Sequence, residues 1–204
     1  LMRATNDKNI RTVTLWEHGL LDLLPAEIDH ARIASARDDK GGAILLRDVS
    51  EKMLPYRRFS LADNTFMLQA MASLHAAFFE SPLLSSQEVG LCRLADVYGM
   101  FSPLTGVREA GGADEVPQRI LEGLSLIKTA VHADVADIIL TLLDDPAPLC
   151  DALGRYPQTL VHGDWRHANQ GLERDGKSRL ILLDWQLATA APPAVELGRS
   201  LGTN

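Results

Sequence analysis

The chain has 204 residues, enough for one good core or two modest lobes sharing a cleft. Hydrophobic residues make up 46% and charged residues 23%, and the formal net charge of −7 excludes a nucleic-acid partner held by a broad basic surface. No apolar run approaches the roughly 18 residues of a membrane span and no basic-then-apolar leader is visible, so a cytoplasmic protein without a membrane partner is expected.

Cys92 and Cys150 lie far apart without a C-x-x-C pattern, which favours free thiols in a reducing cytosol. The six histidines show no H-x-x-x-H zinc spacing, and the densest basic pair is Arg57-Arg58. The chain opens on Leu1 and closes at Leu201-Gly202-Thr203-Asn204, inside an apolar, helical pattern; it reads as a piece of a longer protein.

Val13, Trp16, Leu20 and Leu23 recur at helical spacing and predict a helix over 10–24, stopped by Pro25. Residues 31–36 and 43–49 read as strands joined by the turn Asp38-Asp39-Lys40-Gly41-Gly42. Ser60-Leu61-Ala62-Asp63 resembles a capping box, and a helix with Met67, Met71, Leu74 and Phe78 on its buried side should follow. Residues 81–112 look irregular, with room for a short helix. Asp114, with Pro117 just inside, opens a helix expected to bury Val116, Ile120, Leu124, Ile127 and Val131. Val135, Ile138, Ile139 and Leu142 mark a second buried face before Pro146, and a short turn runs over 148–153 to Gly154. The period then changes. Strands are expected over 158–162, 170–173 and 179–184, with a tight turn at Asp175-Gly176-Lys177.

The polar residues gather at the ends of these late strands. In Leu160-Val161-His162-Gly163-Asp164-Trp165-Arg166-His167-Ala168-Asn169, a strand ends at His162 and Gly163 permits a sharp course, so Asp164 emerges on a loop. Asn169 follows five residues after Asp164, and Leu182-Leu183-Asp184-Trp185 places a second aspartate at a neighbouring strand end. Phosphoryl transfer needs a carboxylate to orient and deprotonate the attacking hydroxyl, and oxygen ligands for a divalent metal on the phosphates. Asp164 suits the first role, Asn169 and Asp184 the second, and this modest set of hard oxygens suits Mg2+.

His162-Gly163-Asp164 with Asn169 and Asp184-Trp185 resembles the catalytic loop of the aminoglycoside phosphotransferase and choline kinase superfamily, which shares the protein-kinase-like fold. Ala72-Ser73-Leu74-His75-Ala76 and the run-in from Pro157 are similar to elements found there. Trp16 with Gly19-Leu20-Leu21, Asp48-Val49-Ser50 and Trp165 look most like a loosely characterised bacterial branch near the ecdysteroid-kinase-like enzymes. The resemblance implies an α+β fold, with a partial amino-terminal lobe over 1–49 and a mostly helical carboxy-terminal lobe over 50–204. It also implies Asp164 as catalytic base, Asn169 and Asp184 as metal ligands, His162 as a loop-holding residue, and ATP and Mg2+ as cofactors. Leu46, Arg47 and Asp48 would form the linker whose backbone meets adenine, unless they are an edge strand and loop.

Other residues keep two readings. Arg166 either faces the transferred phosphate or is a solvated loop arginine, and His167 either touches substrate or faces solvent. His75 reads as a hydrogen-bonded interior histidine, and Trp16 and the Met67-Met71 stripe as core. Glu17 is a surface glutamate or the partner of a strand lysine. The chain departs from the family in three ways. Ala191-Pro192-Pro193 replaces a glycine-containing turn, and Glu196 stands where an aspartate is usual, bracing the loop less reliably. There is also no glycine-rich phosphate loop or identifiable strand lysine ahead of Asp48. The expected activity is transfer of the ATP γ-phosphate to a small-molecule hydroxyl. The rivals are a catalytically silent nucleotide-binding or scaffold module, and a metal-dependent phosphoesterase suggested by His162, Asp164, His167 and Asp184.

Overall fold

The computed structural model describes residues 4–7, 10–39, 41–55, 59–112 and 115–203. Arg57-Arg58, Lys40, Asp114 and Asn204, all named above, lie outside the described residues. The architecture is mixed α+β, about half helical with small sheets. It divides into two compact units, one of Leu1–Asn6 with Arg93–Tyr156, the other of Asp7–Cys92 with Pro157–Asn204.

Among the described residues, the second unit carries every sheet. Helix α1 (Arg11–Glu17) is shorter than its apolar pattern suggests. Gly19, at φ +71°, turns the chain left-handed, and the Leu20 and Gly19 N–H groups close back onto the carbonyls of Leu15 and Trp16. The helix therefore ends at that glycine and not at Pro25; Leu21–Leu23 form a separate 3-10 turn. Strand β1 (Ile28–Asp29), which the sequence pattern does not reveal, is followed by β2 (Arg32–Arg37) and β3 (Gly42–Leu46), an antiparallel pair. The β2–β3 turn closes through Asp38 N–H to the Gly41 carbonyl and Gly41 N–H to Asp38 Oδ1.

Helix α2 (Leu61–Ala77) begins as expected, the Ser60 hydroxyl accepting from Asp63 N–H at 3.1 Å. Its buried side is Met67, Ala70, Met71 and Leu74, extended by Phe78, and it packs into a core with Leu15, Leu20, Leu160, Trp165, Leu180 and Trp185. The late strands are β4 (Thr159–Val161), β5 (Gln170–Glu173), β6 (Arg179–Leu182) and β7 (Thr189–Ala191). β6 is central in one sheet, parallel to β1 and antiparallel to β5, while β4 pairs antiparallel with β7. The unit ends in helix α8 (Pro193–Thr203).

The first unit is helical. Residues 81–112 are less irregular than their punctuation implies, because α3 (Leu94–Gly99) and α4 (Pro103–Glu109) form within them. Then come α5 (Val116–Ala130), α6 (Ala133–Asp144) and α7 (Ala147–Leu153), the last capped at Gly154. α4 approaches α5 at Gly106, where an added Cβ would lie 2.8 Å from Leu121 Cδ2. The apolar faces expected to be buried are only partly covered. Ile120, Leu124, Ile127, Ile139 and Leu142 are half-buried, whereas Val116, Val131, Val135 and Ile138 are exposed. Periodicity shows which side of a helix is apolar, and tertiary packing decides how much of that side is covered. No helix among the described residues is long and apolar enough to cross a membrane.

Candidate active site

The site is built where β4 and β6 end. After Val161 the chain passes through His162 and Gly163, the latter at φ +79° and packed so closely that an added Cβ would overlap the Leu187 carbonyl. Only glycine fits both demands. The loop is gripped from α8: the Glu196 carboxylate accepts from the backbone N–H of His162 and, at 3.0 Å, of Gly163. Glu196 therefore braces the loop fully, correcting the expectation that it would do so less well than an aspartate. Each of its two oxygens takes one of two successive amides, and the side chain is buried.

His162 is completely buried, edge-on to Trp165 and Trp185. Its Nδ1 accepts from Asp164 N–H at 3.2 Å, which leaves Nε2 to donate to the Leu183 carbonyl at 2.9 Å. A neutral imidazole thus ties the 162–169 loop to the end of β6. Burial disfavours its charged form and holds its pKa below 6.5, outweighing the pull of Glu196, Asp164 and the Leu183 carbonyl toward the cation.

Asp164 is buried, yet it is charged and well supplied with donors. Asn169 Nδ2 donates to its Oδ2 at 2.8 Å and to its carbonyl at 3.1 Å. Arg166 Nε donates to Oδ2 at 3.0 Å, and Arg199 Nη2 to Oδ1 at 2.5 Å. Burial raises the cost of ionising this carboxyl, but the hydrogen bond and charge of Arg199, aided by Arg166, overcome that and hold its pKa below the ordinary carboxylate range.

Asn169 closes a 3-10 turn over His167–Asn169, and its backbone carbonyl accepts from Leu183 N–H at 2.9 Å. Asp184 is therefore the next residue along from one pinned to both Asn169 and His162. It is exposed and adopts a left-handed backbone, φ 62° and ψ 67°. Such a conformation in a non-glycine residue persists only where its neighbours enforce it, and they do. Trp185 is buried and donates from Nε1 to the Leu182 carbonyl at 2.9 Å.

These residues fit a Mg2+ ion. The Asn169 amide nitrogen is committed to Asp164, so the oxygen is the atom left for a ligand. The Asp184 carboxylate makes no hydrogen bond or ion pair among the described residues, and hard carboxylate and amide oxygens are what this cation takes.

A profile of the phosphotransferase enzyme family matches residues 89–204, more than half of the chain and all of this site. The chain belongs to that family. It thereby joins the aminoglycoside phosphotransferase and protein-kinase-like superfamily that the His162–Trp185 pattern resembles. No curated protein matches it.

Within this phosphotransferase, the structure brings His162, Asp164, Arg166 and Asn169 into one bonded cluster, with Asp184 beside it. Arg166 is not merely solvated, since it reaches Asp164 while remaining half exposed. His167 is half-buried. Leu46, Arg47 and Asp48 stand apart from that cluster. Leu46 ends β3 with 42% exposure, Arg47 pairs with Asp29 at 2.9 Å, and Asp48 Oδ1 accepts from the N–H and hydroxyl of Ser50, where the turn over Ser50–Lys52 begins. The chain then crosses β5: Met53 bridges Gly171, and Leu54 N–H donates to the Gln170 carbonyl at 2.9 Å. The anticipated adenine linker thus leads directly to the residues after Asn169.

Glu17 pairs with Arg37 of β2, and both side chains are partly exposed. His75 is buried in α2 with Nε2 3.9 Å from Glu196. Its carbonyl accepts from Thr159 Oγ1, while the ring Nε2 has no hydrogen-bond partner among the described residues. Arg199 is the residue that sequence reasoning missed. Its signal was available in the E-x-x-R spacing from Glu196, which sets both side chains on one face of α8.

Proposed function

We propose that this phosphotransferase moves the γ-phosphoryl group of ATP to a hydroxyl of a small molecule. The observation that carries the proposal is the direct bond between Asp164 and Asn169, with Asp184 next in the chain to Leu183, whose N–H donates to the Asn169 carbonyl. Asp164 accepts the acceptor's proton and orients its oxygen, and Arg166 offers positive charge beside the transferred group. His162 and Glu196 hold the loop so that neither the base nor Asn169 must reorganise as charge develops. Asn169 and Asp184 would hold Mg2+, which when bound neutralises phosphate charge. Residues up to Val49 serve as the nucleotide-covering lobe and those from Ser50 as the catalytic lobe, with Leu46, Arg47 and Asp48 at the hinge.

A two-metal phosphoesterase is less well supported. Among the described residues no group of three or more His, Cys, Asp and Glu side chains is placed to hold a metal ion. A silent nucleotide-binding module is the second reading, and one experiment separates it from an enzyme. ATP consumption is measured with Mg2+ against aminoglycosides, choline-like alcohols, sugars and sterols, for the wild type and Asp164→Asn. Transfer to at least one acceptor is expected, falling roughly 10²–10⁴-fold in the variant while nucleotide binding persists. Nucleotide binding without turnover of any acceptor would leave only the silent module.

A further inference from the structure

Asp164 is held by more than the loop on which it stands. Glu196 and Arg199 are three residues apart on α8, and between them they engage three consecutive loop residues. Glu196 takes the amides of His162 and Gly163, and Arg199 takes the side chain of Asp164. One turn of helix therefore sets both the backbone course of the loop and the orientation of its carboxylate.

The two carboxylate oxygens are not equivalent. An ionised carboxylate offers about four lone-pair sites, two on each oxygen. On Oδ2 both are filled, by Asn169 Nδ2 at 2.8 Å and Arg166 Nε at 3.0 Å. On Oδ1 the described residues supply one donor, Arg199 Nη2 at 2.5 Å, and one site remains. The Arg166 side chain is 48% exposed and that of Arg199 only 23%, so Arg199 is the better-anchored of the two cations.

We infer that Oδ1 of Asp164 is the atom that receives the acceptor's proton, and that Arg199 is the positioning residue that presents it. This rests on the phosphotransferase reading above. As the acceptor oxygen bonds to the γ-phosphorus, the bond to the β-phosphate oxygen breaks and its electron pair leaves with the nucleoside diphosphate. The hydroxyl proton passes to Oδ1. Without Arg199 the carboxylate is held through Oδ2 alone, by Asn169 and the half-exposed Arg166, and the direction of the open lone pair on Oδ1 is less closely fixed.

The test compares wild type, Arg199→Met, Arg199→Lys and Asp164→Asn, using ATP and Mg2+ with an acceptor found in the panel. Arg199→Met is expected to lower kcat by roughly 10–100-fold, the scale of a misplaced catalytic group, while KM for ATP stays near wild type; the melting temperature falls, because Asp164 stays buried and loses its main counter-charge, and Arg199→Lys restores it. Arg199→Lys, which keeps a cationic donor, is expected to recover part of that loss. An Arg199→Met enzyme with wild-type kcat overturns the inference. So does a fall in kcat matched by an equal fall in ATP affinity or stability that Arg199→Lys does not relieve. If the methionine variant fails to fold, the lysine variant decides alone: kcat lowered at constant KM supports the inference, and wild-type kcat overturns it. Asp164→Asn separates the two levels. Turnover undiminished there removes Asp164 as the base and the inference with it, and absence of transfer to any acceptor removes the phosphotransferase reading, whereas loss in Asp164→Asn with a fully active Arg199→Met removes only the role of Arg199.

Discussion

The loop at His162–Asn169 and the helix pair α5–α6 show opposite ways of being ordered. In the loop, polar groups are buried and answer one another: His162 is fully buried and Glu196 is 1% exposed. In α5 and α6, apolar side chains face outward, with Leu126 61% and Ile138 60% exposed, and Ala136 is the one fully buried side chain of the pair. A buried polar network specifies one arrangement because every alternative leaves a donor or acceptor unpaired. A partly covered apolar stripe specifies an orientation and little more. The loop should therefore respond sharply to single atoms, and the helix pair should not.

The largest effect is expected at Glu196. Glu196→Ala strips the partner from two amides, of which His162 and Gly163 are both buried. At about 1–3 kcal/mol for each buried donor left unpaired, the loss is about 4 kcal/mol, read as a shift in urea unfolding. Because the same carboxylate shapes the loop, turnover should collapse even where the protein still folds. A loss below about 1 kcal/mol would mean that the loop holds its course without α8, and the contrast with the helix pair would be lost.

A smaller effect, set by pH, comes from His162. Its folded pKa lies below 6.5 because burial disfavours the cation. Below that pH the unfolded chain gains a proton that the folded chain refuses, so stability falls as pH drops, by about 1.4 kcal/mol per unit until the folded pKa is reached. Urea unfolding at pH 7.5 and pH 5.5 should show that loss, and His162→Gln, which has nothing to titrate, should show less of it. An equal pH dependence in both proteins would assign the effect to another group.

The sequence exposed the two regions unequally. In the loop, the spacing of His162, Asp164, Asn169 and Asp184 carried the chemistry, because a site built within one loop and an adjoining strand end keeps its residues close in the chain. Glu196 was under-read and Arg199 overlooked, since their contacts join residues 33 to 35 positions apart and no local period announces them. The two-residue strand β1 was invisible for the same reason, being defined only by its pairing with β6. Helix α2 was readable from cap to core, because Ser60 and its apolar face both act locally and both find partners. For α5 and α6 the period was right and the burial was not. Coverage is a property of the neighbour, and no pattern within a helix contains it.

The smallest effect follows from that last point. Leu74 in α2 is fully buried, and Leu74→Ala should cost about 2–5 kcal/mol by lost transfer energy and the cavity left behind. Ile138→Ala in α6 removes a side chain already 60% exposed, so little transfer energy is forfeited. Alanine is also the better helix former by a few tenths of a kcal/mol, which offsets much of the remainder. The expected change is within about 0.5 kcal/mol of zero, measured by urea unfolding alongside Leu74→Ala. A cost near that of the core substitution would show that something covers this face in solution. Dependence of the cost on protein concentration would then identify the cover as a second copy, and the two ways of being ordered would differ only in where the partner comes from.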